Sequence, residues 1–187
     1  MSLQRRAILL ACTAALAAAS ATAQTAEWPA KTLRIVVPYP PGGSSDIIAR
    51  SISQALSESL KQSVIVENKP GANGNLGADF VAKAEPDGYT MLLCDVGALA
   101  ISPSVYTKLS FDPSKDLRGV TMLAYSPHLL VVHPSVPVNN LKELIAYSKK
   151  NELNFAVTAT GSAPHLAGVA LERASGARWQ YLSLIHI

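Results

Sequence analysis

The chain has 187 residues, 49% hydrophobic and 16% charged, with 16 Lys and Arg against 13 Asp and Glu. Two of the basic residues, Arg5 and Arg6, sit in an acid-free N-terminal segment, and the rest of the chain balances 14 basic against 13 acidic side chains, a net charge of +1. No Lys- or Arg-rich patch remains to argue for a nucleic-acid partner, and Cys94 is the single cysteine after residue 23, so an intrachain disulfide is excluded there.

Residues 1–23 read as a cleavable signal peptide. Arg5 and Arg6 form its positive start, residues 7–19 a short apolar stretch, and Ala21-Thr22-Ala23 a small-residue cleavage site. The apolar stretch falls short of the roughly 20 residues a membrane span requires. The run LLAC ending at Cys12 also has the form of a lipoprotein box, but only five apolar residues precede the cysteine. Lipid anchoring at Cys12 therefore ranks behind export as a free protein. At the other end, LSLIHI (182–187) looks like a translated library adapter, which reads as a non-native tail after a coding sequence cut near Tyr181. The 158 residues from 24 to 181 suffice for one domain, or for one and a half lobes of a larger protein.

Residues 33–37, LRIVV, are a β-branched run expected to form a buried strand. Pro38, Pro40 and Pro41 stop it, and Gly42-Gly43 follows. Ile48, Ile52, Leu56 and Leu60 then recur every four residues, which keeps one helix face apolar. Ser44 or Ser45 is the expected N-cap, and Asp46 suits the positive end of that helix. Strand, glycine turn and helix start together offer N–H groups that the helix cannot satisfy itself, a place for an anion. The same residues also suit an ordinary strand-to-helix loop.

Residues 63–67 are the second expected strand. The glycine-rich stretch 71–77 leads into a helix through residue 84, and Pro86-Asp87-Gly88 is a turn. Residues 90–95 are the third strand, after which Val96-Gly97-Ala98 lead into a helix at 99–108. This βαβαβ succession predicts an α/β fold with a parallel sheet covered by helices. Ligands of such sheets bind beyond the carboxyl ends of the strands, where the Gly42-Gly43 and Gly97 turns both fall.

Residues 120–125 and 129–133 are expected to be extended. The change in composition places a lobe boundary, and a hinge, near residue 122, giving a first lobe at 24–122 and a partial second lobe at 123–181. Asn140 is the expected cap of a helix at 141–150, and residues 153–158 form a strand. A loop of small and hydroxyl residues at 158–165 then enters a helix carrying Leu166, Val169, Ala170 and Arg173. Residues 179–181 open one more strand.

Several catalytic motifs can be tested and set aside. GANGNLG (71–77) resembles a dinucleotide fingerprint, but its first spacing is one residue too long and NKP separates it from the strand. Ser162 and His165 could pair as nucleophile and base, yet Gly-x-Ser-x-Gly is absent and a triad also needs an orienting acid and an oxyanion hole. His128 and His133, five apart on extended chain, face opposite ways, so no metal pair is expected. No catalytic residue, metal or cofactor is called for. The residues suit a small carboxylate held between two lobes, with Gly42, Gly43 and Ser45 on one side and Thr158, Thr160 and Ser162 on the other. Hydrogen bonds to an ionised acceptor are worth about 1.5–3 kcal/mol each. Tyr39 is the candidate aromatic wall.

Five runs carry a more specific signal: IVVPYPPGGSSD (35–46), VENKPGANGNLGAD (66–79), AEPDGYT (84–90), FDPSKD (111–116) and SAPHLAG (162–168). Taken in order they resemble the periplasmic solute receptors of tripartite tricarboxylate transporters, the Bug family, over essentially residues 28–181. The resemblance implies a type II periplasmic-binding-protein fold: two lobes, each a central β-sheet flanked by helices, with the ligand cleft between them and the second lobe incomplete here. It implies an organic carboxylate held by three segments, partly through ordered waters. These are the Gly42-Gly43 loop with Ser45 and Asp46, the Gly97-Ala98 turn, which has the candidate residue Asp95 beside it, and the loop of Thr158, Thr160, Ser162 and His165. It further implies delivery to a permease of two integral membrane subunits, a monomeric receptor and no catalysis. A carboxylate sensor for a membrane signalling partner would use the same closure. A secreted Ser162/His165 hydrolase is the enzymatic alternative.

Two departures from the family pattern stand out. Cys94-Asp95 occupy positions where the family usually has glycine followed by a hydroxyl residue. An acid there would repel a second carboxylate or pair with a ligand amine, which predicts a ligand with fewer carboxylates or with an amino group. The family's later loop, which completes the second side of the pocket, has no counterpart in this sequence, so the 187-residue chain is expected to bind weakly or to fold incompletely.

Overall fold

The computed structural model describes residues 27–183. The signal-peptide and Cys12 readings, and residues 184–187 of the adapter-like tail, lie outside the described residues. The chain divides into two units, residues 1–31 and Thr32 onward, and every regular element among the described residues belongs to the second.

Strands β1 (Leu33–Val37), β2 (Val64–Asn68) and β3 (Thr90–Leu92) form a parallel sheet in the order β2-β1-β3. The central strand has neighbours on both edges and a helix on each face, which is why LRIVV is a nearly unbroken apolar run. Leu33, Val36 and Val37 have no exposed surface and Ile35 has 3%. Burying each such side chain is worth about 1.5–3 kcal/mol relative to exposure, so β1 is the anchor of the fold.

Ile35 and Val37 face helix α1 (Ser44–Leu60), packing with its Ala49, Ile52 and Leu56 and with Val66 and Met91 of the flanking strands. The inward stripe of α1 thus follows spacings of three and four through Ala49, rather than every fourth residue from Ile48. Leu92, on the other face, packs with Ala78 of α2 (Asn75–Ala82), Ala98 and Phe111.

From β1 the chain steps outward to β2 and then crosses back to β3 on the far side of β1. The crevice between the carboxyl ends of β1 and β3 is therefore the topological switch point of the sheet. The helix entering at residue 71 begins as a 3₁₀ turn, Ala72–Gly74, because Asn73 (φ 56°) and Gly74 (φ 89°) are left-handed and break the α ladder. β3 stops at Leu92, three residues short of the sequence expectation. One more ladder bond, Leu93 N–H to the Val36 carbonyl, follows before the chain leaves the sheet. The single helix expected at 99–108 is instead a wide π-type turn, Gly97–Ile101, continued by the short α3 (Ser102–Val105).

The segments at 120–125 and 129–133 carry no strand. Val120, Tyr125 and Leu129 are at least 85% exposed. Their β-forming side chains need a paired, half-buried surface to pack on, and no strand among the described residues supplies a ladder partner. Beyond them, α4 (Leu141–Ser148) starts at the expected cap: Asn140 Oδ1 accepts the Glu143 N–H at 3.0 Å, and Glu143 reaches back to the Asn139 N–H at 2.8 Å.

A second, two-stranded parallel sheet pairs β4 (Asn154–Val157) with β5 (Gln180–Ser183), joined by α5 (Ala163–Ser175). Phe155 lies opposite Tyr181, and the Trp179 and Tyr181 rings stack around it at 5.0 and 5.6 Å between centroids. Gly168 lets α5 sit down on this cluster, since a Cβ there would come within 2.8 Å of Tyr181 Cε1. β5 runs through Leu182 and Ser183, two residues assigned to the tail from sequence.

Candidate ligand-binding site

The predicted site residues fall on three loops, each leaving the carboxyl end of a strand: β1 (Tyr39 to Asp46), β3 (Asp95 to Ala98) and β4 (Thr158 to His165). The first two flank the β1/β3 crevice. There the Tyr39 hydroxyl donates to Asp95 Oδ1 at 2.6 Å, and the Gly97 N–H donates to the same oxygen at 2.7 Å. Tyr39 is half-buried over Gly74, where a Cβ would come within 3.1 Å of its oxygen. Burial, then the charge of Asp95, pushes the Tyr39 hydroxyl far above its ordinary range, so it remains a donor at any physiological pH.

The first turn of α1 is uncapped by any side chain. Its N-cap is Gly43 rather than a serine, and the helix ladder begins only with Ile47 N–H to the Gly43 carbonyl. The N–H groups of Ser44, Ser45 and Asp46 precede that ladder. Asp46 itself is turned into its own loop. It is 4% exposed and accepts from Gly42 N–H at 2.9 Å, from Arg50, and from Asn68 Nδ2 at 3.0 Å. Asn68 also donates to the Tyr39 carbonyl at 3.1 Å, so one side chain ties β2 to both ends of the loop. The Arg50 guanidinium, then the Gly42 N–H and Asn68, hold the Asp46 carboxyl well below the usual carboxylate range.

The third loop meets the helical turns that flank the first sheet. Asn73 Nδ2 donates to the Gly161 carbonyl at 3.2 Å, and the Tyr106 hydroxyl to the Thr160 carbonyl at 3.4 Å. Gly161 is left-handed (φ 81°) and close to Val105, where a Cβ would meet Cγ1 at 3.0 Å. Ser162 is buried as the N-cap of α5, accepting the His165 N–H at 3.4 Å, while His165 Nδ1 accepts the Gly161 N–H at 3.1 Å. The His165 ring stands edge-on to Tyr181 at 4.7 Å. Ser162 Oγ and the imidazole thus each serve the backbone of their own loop, and no Ser162–His165 side-chain bond exists to activate a nucleophile.

Two N–H groups expected to face an anion already have acceptors, Gly42 (Asp46) and Gly97 (Asp95), and so does that of Gly161 (His165) within the third loop. The start of α5 offers little more, since Pro164 has no N–H and that of His165 is taken. What faces outward is the first turn of α1, the half-buried Ser45, and the exposed Thr158 and Thr160. The Ala98 side chain belongs to the core beside Ala78 and Phe111. Asn68, Asn73 and Tyr106 were not singled out from sequence. The only pointer to Asn73 was its place in a Gly-Ala-Asn-Gly turn, which invites a left-handed residue. Among the described residues no cluster of metal ligands occurs, and no helix is long and apolar enough to cross a membrane.

Comparison with known proteins gives a consistent picture. The family described as "Tripartite tricarboxylate transporter family receptor" matches residues 48–187. Protein BugT of Bordetella pertussis is 39% identical over 153 residues, covering 80% of this chain and 47% of BugT. A UPF0065 protein of Bordetella bronchiseptica is 39% identical over 164 residues, covering 88% of this chain and 48% of its own length. The chain spans about half the length of the curated relatives it matches. Among solved structures, an R. palustris protein with adipate superposes with a TM-score of 0.80 at 34% identity, over 84% of this chain and 53% of its own. MatC from Rhodopseudomonas palustris with bound malate superposes with a TM-score of 0.77 at 31% identity, over 84% and 54%.

Proposed function

As this chain belongs to the tripartite tricarboxylate transporter receptor family, we propose that it is the ligand-gripping part of a periplasmic solute receptor that captures a small organic carboxylate and hands it to a two-subunit membrane permease. The observation that carries this reading is the meeting of the β4 loop with the turn at Asn73 through the Gly161 carbonyl, together with the uncapped start of α1. The adipate and malate held by the two R. palustris proteins support a carboxylate as the ligand class.

In this reading the carboxylate is received by the N–H groups of Ser44 and Ser45, the Ser45 hydroxyl and the Gly43 backbone, where the helix dipole favours an anion. Thr158 and Thr160 supply hydroxyl donors from the facing loop, and Tyr39 closes the side. Asp46, Ser162 and His165 hold the loops in shape rather than touching the ligand, because their polar atoms are engaged within the loops. Residues 24–122 and 123–181 act as the two lobes.

Thermal unfolding of the chain with malate, adipate, propionate, glutamate and a neutral diol control tests the proposal. A ligand that binds only the folded state raises the midpoint with concentration. At least one of the carboxylates should raise it in a saturable way and Ser45→Ala should blunt the rise. Identical midpoints with and without every carboxylate would overturn the reading.

A further inference from the structure

The Asp95 carboxylate is fixed through one oxygen only. Oδ1 accepts both the Tyr39 hydroxyl and the Gly97 N–H. Among the described residues, Oδ2 accepts no hydrogen bond and Asp95 joins no ion pair. The side chain is exposed, at the mouth of the β1/β3 crevice. Its geometry is set from two directions, by a residue 56 positions away on the β1 loop and by its own turn. The Gly97 N–H, a donor that could have met an incoming carboxylate, is occupied by Asp95 instead. At this edge the crevice therefore presents an accessible negative oxygen and not an anion-binding N–H.

We infer that Asp95 is a subsite for a cationic group of the ligand, so that the carboxylate captured here carries an ammonium, as an amino acid does, rather than further carboxylates. This rests on the carboxylate-receptor reading of the same loops. An ammonium has three N–H donors and no acceptor, which matches an oxygen with no donor of its own. A second carboxylate in that place would meet like charge with no N–H to offset it. At contact distance in a partly solvated crevice, that change of sign separates the two ligand classes by at least about tenfold.

The test is an amide NMR titration of the ¹⁵N-labelled 187-residue chain with two matched pairs, glutamate against glutarate and alanine against propionate. Each pair differs by the ammonium alone, and NMR reads weak binding. The amine-bearing member should bind at least tenfold more tightly, and only it should shift the Gly97 amide. Asp95→Asn keeps an oxygen for Tyr39 and Gly97 while removing the charge, and should abolish the preference. Tyr39→Phe leaves the charge in place and should retain it. Equal affinities within the pairs, or a ratio unchanged in Asp95→Asn, would overturn the inference and leave the carboxylate reading standing. Absence of any shift at residues 42–46 or 158–165 with all four compounds would overturn the carboxylate reading, and the inference with it.

Discussion

The Asn73 amide and the Gly161 carbonyl, 88 residues apart in sequence, are joined by a 3.2 Å hydrogen bond in a buried setting. Asn73 holds a left-handed backbone (φ 56°, ψ 34°) while its side chain bridges to the β4 loop. Asn73→Ala should cost about 1–3 kcal/mol for the orphaned carbonyl, plus about 1–2 kcal/mol for alanine in the left-handed region. Asn73→Gly should lose only the first of these. Urea unfolding of both variants separates the contributions, and equal losses would mean that the backbone conformation carries no cost here.

Gly77 sets the distance between α2 and the sheet. A Cβ there would lie 2.7 Å from Pro38 Cβ and 2.9 Å from the Lys69 carbonyl oxygen, and neither can swing aside as a flexible side chain would. Gly77→Ala should therefore destabilise by about 1–3 kcal/mol, the usual cost of overpacking, despite alanine's better helix propensity. Gly119, with nothing near its Cβ position, is the control: Gly119→Ala should leave the unfolding midpoint almost unmoved. A loss at Gly119 as large as at Gly77 would refute a steric cause.

The first sheet was legible in the sequence because its signals are local. A β-branched run closed by prolines, a glycine pair and an apolar helix stripe located β1 and α1, and Asn140 announced its cap. What escaped was set by distant partners. β3 stops early where the chain turns off to place Asp95 against Tyr39, and the 120–133 region, extended by propensity, finds no ladder to join. The candidate loops were picked out by their glycines and hydroxyls. Which N–H groups stay open was not visible, because Asp46, Asp95 and His165 fill three of them through contacts that spacing does not encode.

Cys94 should be a slow thiol. Burial first, and the adjacent Asp95 second, push it up to about 12 from 9.0. At pH 8 that leaves about a thousandfold less thiolate than in the unfolded chain, and thiolate is the reactive form. Modification by a disulfide reagent should be slower by about that factor in buffer than in urea, and Asp95→Asn should quicken it only modestly. The sign for stability follows. The folded value is raised, so the contribution is whole below pH 9 and is lost as pH rises from there towards about 12. Equal rates in buffer and urea would show the thiol to be open to solvent.

Asp46 works in the opposite direction. Its folded carboxyl is depressed by the Arg50 guanidinium foremost, then by the Gly42 N–H and Asn68, whereas the unfolded chain returns it to about 4. Its contribution is therefore present above that unfolded value and is lost as pH falls from there towards the depressed one, because the unfolded state then binds the proton first. Asp46→Asn should be clearly less stable than the parent chain at pH 7, since the amide cannot accept all three donors at once. The gap should narrow steadily below about pH 4, as the parent loses the same interaction by protonation of its unfolded state. Urea midpoints for the two chains at pH 7, 5, 4 and 3 measure this directly. Arg50→Gln should behave alike, because it removes the strongest of the three partners. A gap that stays constant down to pH 3 would mean that Asp46 acts through shape alone, and the start of α1 would then be held by the turn of Gly42 and Gly43 rather than by charge.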